Sequence, residues 1–330
     1  MVLSVELKIV PNTGVFELMK ILVTGGAGFI GSHLVDRLLE KRQSVVCVDN
    51  LLLGRRDFLT NAMKNKNFTF YNFDLLDIDK LDKLFKEQQF DFIYHLAANS
   101  DIRAGVADTS TDLNLTFKLT YNILECMRVN KVNKILFTSS PTVFGDTDKP
   151  LTEDLPMKPE SLYGASKLAS EAYIRAFSSL YGFQSWMLRL SNMVGGRATH
   201  GILYDFVYKV QNNPNELIVL GDGKQCKPYM YVQELIDCIF FVVENATDQV
   251  NTFNVGPKDG ARVSEIAKLF LKYFGKDHKI KYTGGKTGWK GDVPFYSHNS
   301  EKLNNLGWAP KLSSIEAVEK AVLAMRSKSK

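Results

Sequence analysis

Cysteine and histidine are scarce: four and five respectively in 330 residues. Cys47, Cys126, Cys226 and Cys238 lie far apart with no CxxC pair, and no HxxxH or HExxH pattern occurs. No metal site is signalled, and the thiols suit a reducing, cytoplasmic compartment. No apolar run approaches the roughly 18 residues that begin to span a bilayer. The N-terminal MVLSVELKIVPNTG carries Glu6 and Lys8 where a secretion signal needs an unbroken apolar stretch. A membrane is therefore not an expected partner. The net charge is +5, but no segment interleaves dense Lys/Arg with stacking aromatics, which argues against nucleic acid. Internal repeats and low-complexity segments are also missing.

What the chain does have is 45% hydrophobic residues, enough for one large core or two modest ones. Apolar runs of strand length alternate with helical patterns from Lys20 onward: KILVTG, SVVCVD at 44–49, FTFYNF at 68–73, FDFIYHL at 90–96, KILFTS at 134–139 and QSWMLRL at 184–190. Buried strands separated by helices predict an α/β fold with a doubly wound parallel sheet. Beyond residue 191 the pieces shorten and gain Gly, Pro and Lys, which predicts a smaller lobe and a ligand cleft between the two. Residues 1–18 stand outside this scheme. They read either as an added edge strand or as an upstream-start extension, since Met19-Lys20 directly precedes the first strand.

TGGAGFIGSHL at 24–34 lies where the first strand turns into the first helix, with glycines at 25, 26, 28 and 31. Glycine there permits a tight turn, lets the backbone approach a pyrophosphate, and leaves a helix N-terminus to attract the anion. The second strand ends at Asp49, where a carboxylate suits an adenosine ribose diol and repels a 2′-phosphate, favouring NAD over NADP. This completes a Rossmann-type reading: an extension at 1–18, an NAD-binding domain at 19–190, and a mainly substrate-binding lobe at 191–330 from which 229–256 returns to the first core.

The TGGxGxxG spacing, HLAA at 95–98, Asn114, SSPTVFG at 139–145, YGASK at 163–167 and LRLSNMVG at 188–195 occur in order. With GDGKQ at 221–225, FNVG at 253–256 and KGDVP at 290–294, they make the chain from Lys20 to about residue 325 resemble the extended short-chain dehydrogenase/reductases. Within that family it is similar to the NAD-dependent sugar-nucleotide epimerases and dehydratases, the group that includes the UDP-glucose 4-epimerases. The resemblance implies cofactor contacts from Gly25, Gly28, Phe29, Ile30 and Gly31. It adds Asp49, Asn50, Asp74 and Leu75 at the next strand ends, Leu96, Ala97 and Ala98 after the fourth strand, and Asn114.

Tyr163 and Lys167 are four residues apart on a helical pattern, so both side chains share one face. An ammonium beside a phenol stabilises phenolate, as does a positive nicotinamide ring, so Tyr163 is expected to fall from about 10 toward neutrality and act as base. The resemblance gives Lys167 a hydrogen bond to the nicotinamide ribose and makes Ser140 the hydroxyl that orients the reacting sugar oxygen. The family's 4,6-dehydratases carry Asp and Glu at the next two positions, where this chain has Pro141 and Thr142, which argues against dehydration. The expected reaction is oxidation of a C4 hydroxyl to a 4-keto sugar. Returning the hydride to the other face gives 4-epimerisation. Releasing the keto sugar instead gives a net 4-dehydrogenase that reoxidises its NADH separately, as in family members acting on GDP-heptose. A non-catalytic NAD sensor is disfavoured because both Tyr163 and Lys167 are kept.

The substrate, a nucleotide-diphospho-sugar, is expected to meet Ser140, Thr142, Asn192 and His200. Two arginines usual for the diphosphate are replaced, by Lys227 in GDGKQCK and Trp289 in GWKGD, with Lys290 or Lys286 as the nearby cation. Lysine neutralises phosphate without the bidentate fork of arginine. The resemblance also implies a homodimer or higher homo-oligomer, pairing the helix at about 108–130 with the one after Tyr163. Leu113, Leu115, Leu119 and Ile123 suit such a face and suit core packing equally well.

Overall fold

The computed structural model describes residues 18–274, 277–288 and 293–326. Every apolar run read as a strand is one. β1 (Lys20–Thr24), β2 (Ser44–Val48), β3 (Phe68–Tyr71), β4 (Phe92–His95), β5 (Lys134–Ser139) and β6 (Gln184–Leu190) lie in one sheet. The second lobe adds β7 (Asn192–Val194), β8 (Glu216–Val219), β9 (Cys226–Lys227), β10 (Tyr229–Tyr231), β11 (Val250–Val255), β12 (Ala261–Arg262) and β13 (Lys279–Tyr282). Of these, β11 joins the large sheet beside β6, giving seven parallel strands in the order β11-β6-β5-β4-β1-β2-β3.

Alternation along each strand assigns its side chains to two faces. Ile21, Val23, Val45, Cys47, Tyr94, Leu136 and Leu188 pack against α1 (Phe29–Glu40) and, through Leu235, Ile236 and Ile239, the helix Val232–Asn245. Leu22, Val46, Ile93, Ile135, Phe137 and Met187 face α2 (Ile78–Gln88) and the helices that follow β4. Burying each such side chain contributes about 1.5–3 kcal/mol, and two covered faces explain why these strands are almost uniformly apolar.

Between β4 and β5 the chain is less regular than one helix over 108–130. It forms α3 (Ile102–Ala107), the single turn α4 (Ser110–Asp112), a π-helical segment Leu113–Lys118, and α5 (Leu119–Val129). The wider π turn redirects the face expected for dimerisation: Leu119 and Ile123 are core residues and Leu115 lines the central cavity, leaving Leu113 exposed. The long α6 (Leu162–Tyr181) then covers the same side of the sheet. Its Glu171 receives both Nε and Nη2 of Arg189 on β6, at 3.0 and 2.7 Å, fully buried.

The second lobe contains α7 (Ile202–Asn212), while α8 (Val232–Asn245) is the helix already placed on the large sheet. It also holds α9 (Val263–Phe274), α10 (Glu301–Leu306) and α11 (Ser314–Arg326). Its separate core joins Leu203 and Phe206 of α7 to Ile266 and Phe270 of α9 and Val318 and Val322 of α11. Because the chain leaves β3 at the sheet edge and returns at β4 beside β1, crossovers diverge there and open a crevice at the strands' carboxyl ends. No helix among the described residues is long and apolar enough to cross a membrane.

Candidate active site

The crevice widens into a cavity of about 590 Å3 running from the glycine loop to the second lobe. Gly28 precedes α1 without a side-chain cap, leaving the first-turn amides of that helix available to an anion. The loop is tight: Gly25 has φ +69° and an added Cβ would meet the Ala97 backbone at 2.7 Å. At Gly31 a methyl would fall on the Gly25 carbonyl oxygen. Gly31→Ala is thus expected to push α1 away from the loop and weaken NAD binding about tenfold or more, equivalent to about 1.4 kcal/mol. Equilibrium titration of NAD reads this directly, and unchanged affinity would exclude a cofactor role for the loop.

Gly25, Gly28, Phe29, Ile30 and Gly31 all line the cavity, as do Asp49, Asn50, Asp74, Leu75, Leu96, Ala97 and Ala98. Asp49 ends β2 with Oδ2 accepting from Ala27 N at 2.9 Å and Oδ1 from Leu51 N at 2.8 Å. Burial pushes its carboxyl up, and these two amide bonds oppose the rise. Each oxygen has further acceptor capacity for a ribose hydroxyl. Asn50 Nδ2 donates to Asp74 Oδ2 at 2.9 Å, tying together the ends of neighbouring strands, and Asn122 Nδ2 holds the Leu75 carbonyl at 2.9 Å. Glycine loop, uncapped helix and terminal carboxylate together fit a dinucleotide. Asn114 does not reach this wall: it is half-buried on the π-helical segment, whose turn presents Leu115 instead.

The candidate reacting groups meet at the end of β5 and the start of α6. Ser140 caps the short turn Pro141–Phe144; its Oγ accepts from Thr142 N at 3.3 Å and from the Thr142 hydroxyl at 2.9 Å. Its hydroxyl also faces the Tyr163 phenol and favours phenolate there. At the start of α6, Ser161 Oγ accepts from Gly164 N at 3.0 Å, and Gly164 lets the helix sit against the Thr142 carbonyl, where a Cβ would come within 2.5 Å. Neither device was inferred from the sequence, although a serine three residues before Gly164 is a readable helix-start signal.

Lys167 is buried, donates to the Thr138 carbonyl at 2.7 Å, and lies 4.6 Å from the Phe137 ring centre and 5.8 Å from that of Tyr163. Burial lowers its pKa to about 7, opposed by Glu171 and Asp112. Tyr163 is expected to fall toward neutrality beside Lys167 and a positive nicotinamide ring; the chain alone does the opposite. Burial pushes it up to about 12, the Ser140 hydroxyl opposes this, and Asp112 adds to the rise. Desolvation outweighs what the chain alone offers the phenolate.

Beneath this pair runs a polar chain that sequence reading missed. His95 Nδ1 lies 2.7 Å from Thr24 Oγ1 and its Nε2 3.1 Å from Thr120 Oγ1, which accepts from Ser170 at 3.2 Å. Burial lowers His95 to about 3, so it is a neutral brace between β1, β4, α5 and α6.

At the substrate end, Ser140, Thr142, Asn192, His200 and Lys227 all line the cavity. Asn192 Nδ2 donates to Tyr296 Oη at 3.0 Å and to Pro228 O at 3.2 Å. His200 stands at the rim, facing Asp101 and Arg103. Trp289 and Lys290 lie outside the described residues.

Known proteins resemble this chain over most of its length. A putative UDP-glucose 4-epimerase of Methanocaldococcus jannaschii is 32% identical over 313 residues, covering 93% of this chain and 98% of that protein. A UDP-galactose 4-epimerase crystal structure superposes with TM-score 0.84 at 36% identity, covering 94% of this chain and 99% of that one. The UDP-glucose 4-epimerase of Thermotoga maritima with UDP-glucose gives 0.86 at 30% identity, over 94% and 100%. The human dTDP-D-glucose 4,6-dehydratase also matches, at 24% identity over 315 residues, 92% of this chain and 89% of that protein. The NAD dependent epimerase/dehydratase family profile spans residues 21–256, covering the glycine loop, Ser140, Tyr163, Lys167 and β11, and the chain belongs to that family.

Proposed function

We propose that this enzyme is an NAD-dependent sugar-nucleotide 4-epimerase. The observation that carries the reading is the set of hydroxyls of Thr142, Ser140 and Tyr163 lining the same cavity as Asn192 and Lys227, with no carboxylic acid at 141 or 142. A 4,6-elimination needs an acid and a base at the substrate's C5 and C6, and Pro141 and Thr142 supply neither. NAD, when bound, supplies the hydride acceptor and a positive ring that favours phenolate. Tyr163 takes the C4 hydroxyl proton, Ser140 holds that oxygen in line, and Lys167 steadies the phenolate charge through the field of its ammonium. Inversion would be completed when C4 of a rotated 4-keto sugar regains hydride on its other face and Tyr163 returns its proton to O4. Lys227 on the cavity wall favours a diphosphate-linked sugar, and Asn192 stands where its diphosphate would pass. A homodimer through α5 and α6 is part of the same reading, with Leu113, Tyr121 and Tyr173 exposed along that side.

The test is incubation with UDP- and GDP-linked hexoses and heptoses followed by NMR of the products. A C4 epimer formed without added oxidant is expected. A released keto sugar with accumulated NADH would replace the epimerase reading with a net 4-dehydrogenase.

A further inference from the structure

α1 has a second face beside the apolar one it presents to the sheet. Leu34, Val35 and Leu38 are buried, while Phe29, His33 and Asp36 fall at i, i+4 and i+7 on another side of the helix. The first half of the loop at 195–201, between β7 and α7, meets that side at three points. At Gly195 an added Cβ would come within 2.6 Å of Val232 Cγ1 and 3.4 Å of Phe29 Cε2, so glycine permits the close approach. The Gly196 carbonyl oxygen lies 2.8 Å from His33 Nε2. Arg197 Nη2 pairs with Asp36 Oδ2 at 2.7 Å, and the residue takes φ +71°, a left-handed conformation that costs a non-glycine residue free energy. Ala198, Thr199 and His200, which follow, line the cavity together with Phe29 and Ile30 of α1.

His33 is held in one orientation. A carbonyl only accepts, so Nε2 carries the ring proton and Nδ1 accepts from Gln233 Nε2 at 2.9 Å. The oxygen of that amide faces Arg37 Nη2 at 3.5 Å, and Arg37 Nη1 pairs with Asp237 Oδ1 at 2.6 Å. Directional bonds therefore run from α8 along the side of α1 to the loop. Apolar contact is non-directional, whereas these bonds specify one position for Gly196.

We propose that His33 is a positioning residue for the substrate end of the cavity: its Nε2–H seats Gly196, and with it the rim at 198–200, on the helix whose N-terminus would face the cofactor's pyrophosphate. The proposal rests on reading the cavity as a joint site for NAD and a nucleotide sugar. It goes beyond that reading by coupling the two, since a cofactor that steadies α1 steadies the loop through His33.

His33→Phe keeps the ring and its edge-on contact with Phe29 but deletes both nitrogens, whereas His33→Gln keeps a donor that reaches the Gly196 carbonyl. Hydrogen–deuterium exchange followed by mass spectrometry, with and without NAD, reads the loop directly. In wild type, NAD should slow exchange over 195–201. In NAD-loaded His33→Phe those amides should exchange about fivefold faster or more, with α1 within about twofold of wild type, and His33→Gln should recover most of the protection. That readout needs no sugar nucleotide, so it stands or falls apart from the epimerase assignment. In turnover, His33→Phe should raise KM for the nucleotide sugar about tenfold with kcat within about twofold. Exchange over 195–201 equal to wild type overturns the proposal, and so does a rise shared equally by α1, which would mean general loosening. If His33→Phe does not fold, His33→Asn, whose amide falls short of the Gly196 carbonyl, takes its place, and unmoved loop exchange there overturns the proposal alone.

Discussion

Tyr163→Phe should lower turnover by about 10^2- to 10^4-fold, the usual worth of a positioned general base, while NAD remains bound. Phenylalanine keeps the ring in its half-buried place on the cavity wall and removes only the oxygen that faces Ser140. Ser140 cannot substitute for it. A serine hydroxyl is a poor base at neutral pH, and this one already accepts from Thr142 at 2.9 Å. The loss should fall on kcat rather than KM, because the missing oxygen acts on the proton in flight and contributes little to holding the nucleotide. Rapid mixing with the preferred nucleotide sugar, following absorbance of the reduced nicotinamide, isolates the hydride step. The pH dependence has a definite sign. Burial holds the phenol at about 12 in the chain alone, so activity should rise with pH along an acid limb, at a pH set by how far bound NAD brings the phenol down. Wild-type hydride transfer in the Phe variant would remove Tyr163 from the mechanism.

The sheet was legible because buried parallel strands leave a plain trace, a short apolar run between helical patterns, and KILVTG, FDFIYHL and QSWMLRL need no tertiary knowledge to be seen. The glycine loop was legible for a related reason. Its demands are local, a positive φ at Gly25 and a close approach at Gly31, and only glycine meets them. The stretch after β4 was not. A π-helical turn replaces i→i+4 spacing with i→i+5, and there Leu115 lines the cavity while Asn114, which the resemblance puts on the cofactor, does not. Nor was the seat of His33 legible, since Gly196 and Gln233 reach it only after the loop beyond β7 and α8 pack on α1. His95 stood in a recognised motif, yet its bonding to Thr24 and Thr120 depends on the packing of α5 against β4 and β1. For Tyr163, spacing reports its neighbour Lys167 but not how far burial alone raises the phenol.

Water exclusion at Lys167 predicts a variant whose stability and activity move in opposite directions. Lys167→Met should abolish turnover, since Tyr163 loses its ammonium, yet the NAD-free protein should be more stable at pH 7 by about 1–3 kcal/mol. The ammonium carries three donors, and the structure gives it one acceptor, Thr138 O at 2.7 Å, and the Phe137 face. Methionine fills similar volume, keeps contact with Phe137, and gives up one hydrogen bond worth about 1 kcal/mol. The sign follows from the shift. Folding lowers Lys167 to about 7, below an unfolded value of about 10.4, so between those values the unfolded chain binds more protons and wild-type stability rises with pH. The desolvation penalty is complete below about pH 7 and fades toward pH 10.4, so the Met variant's advantage should be largest near neutrality and shrink as pH rises. Urea unfolding of both proteins at several pH values tests this. A Met variant less stable than wild type at pH 7, or an advantage growing with pH, would mean that Lys167 stabilises the fold. The predicted pattern instead makes its buried charge a strain on the fold that only the reaction at Tyr163 puts to use.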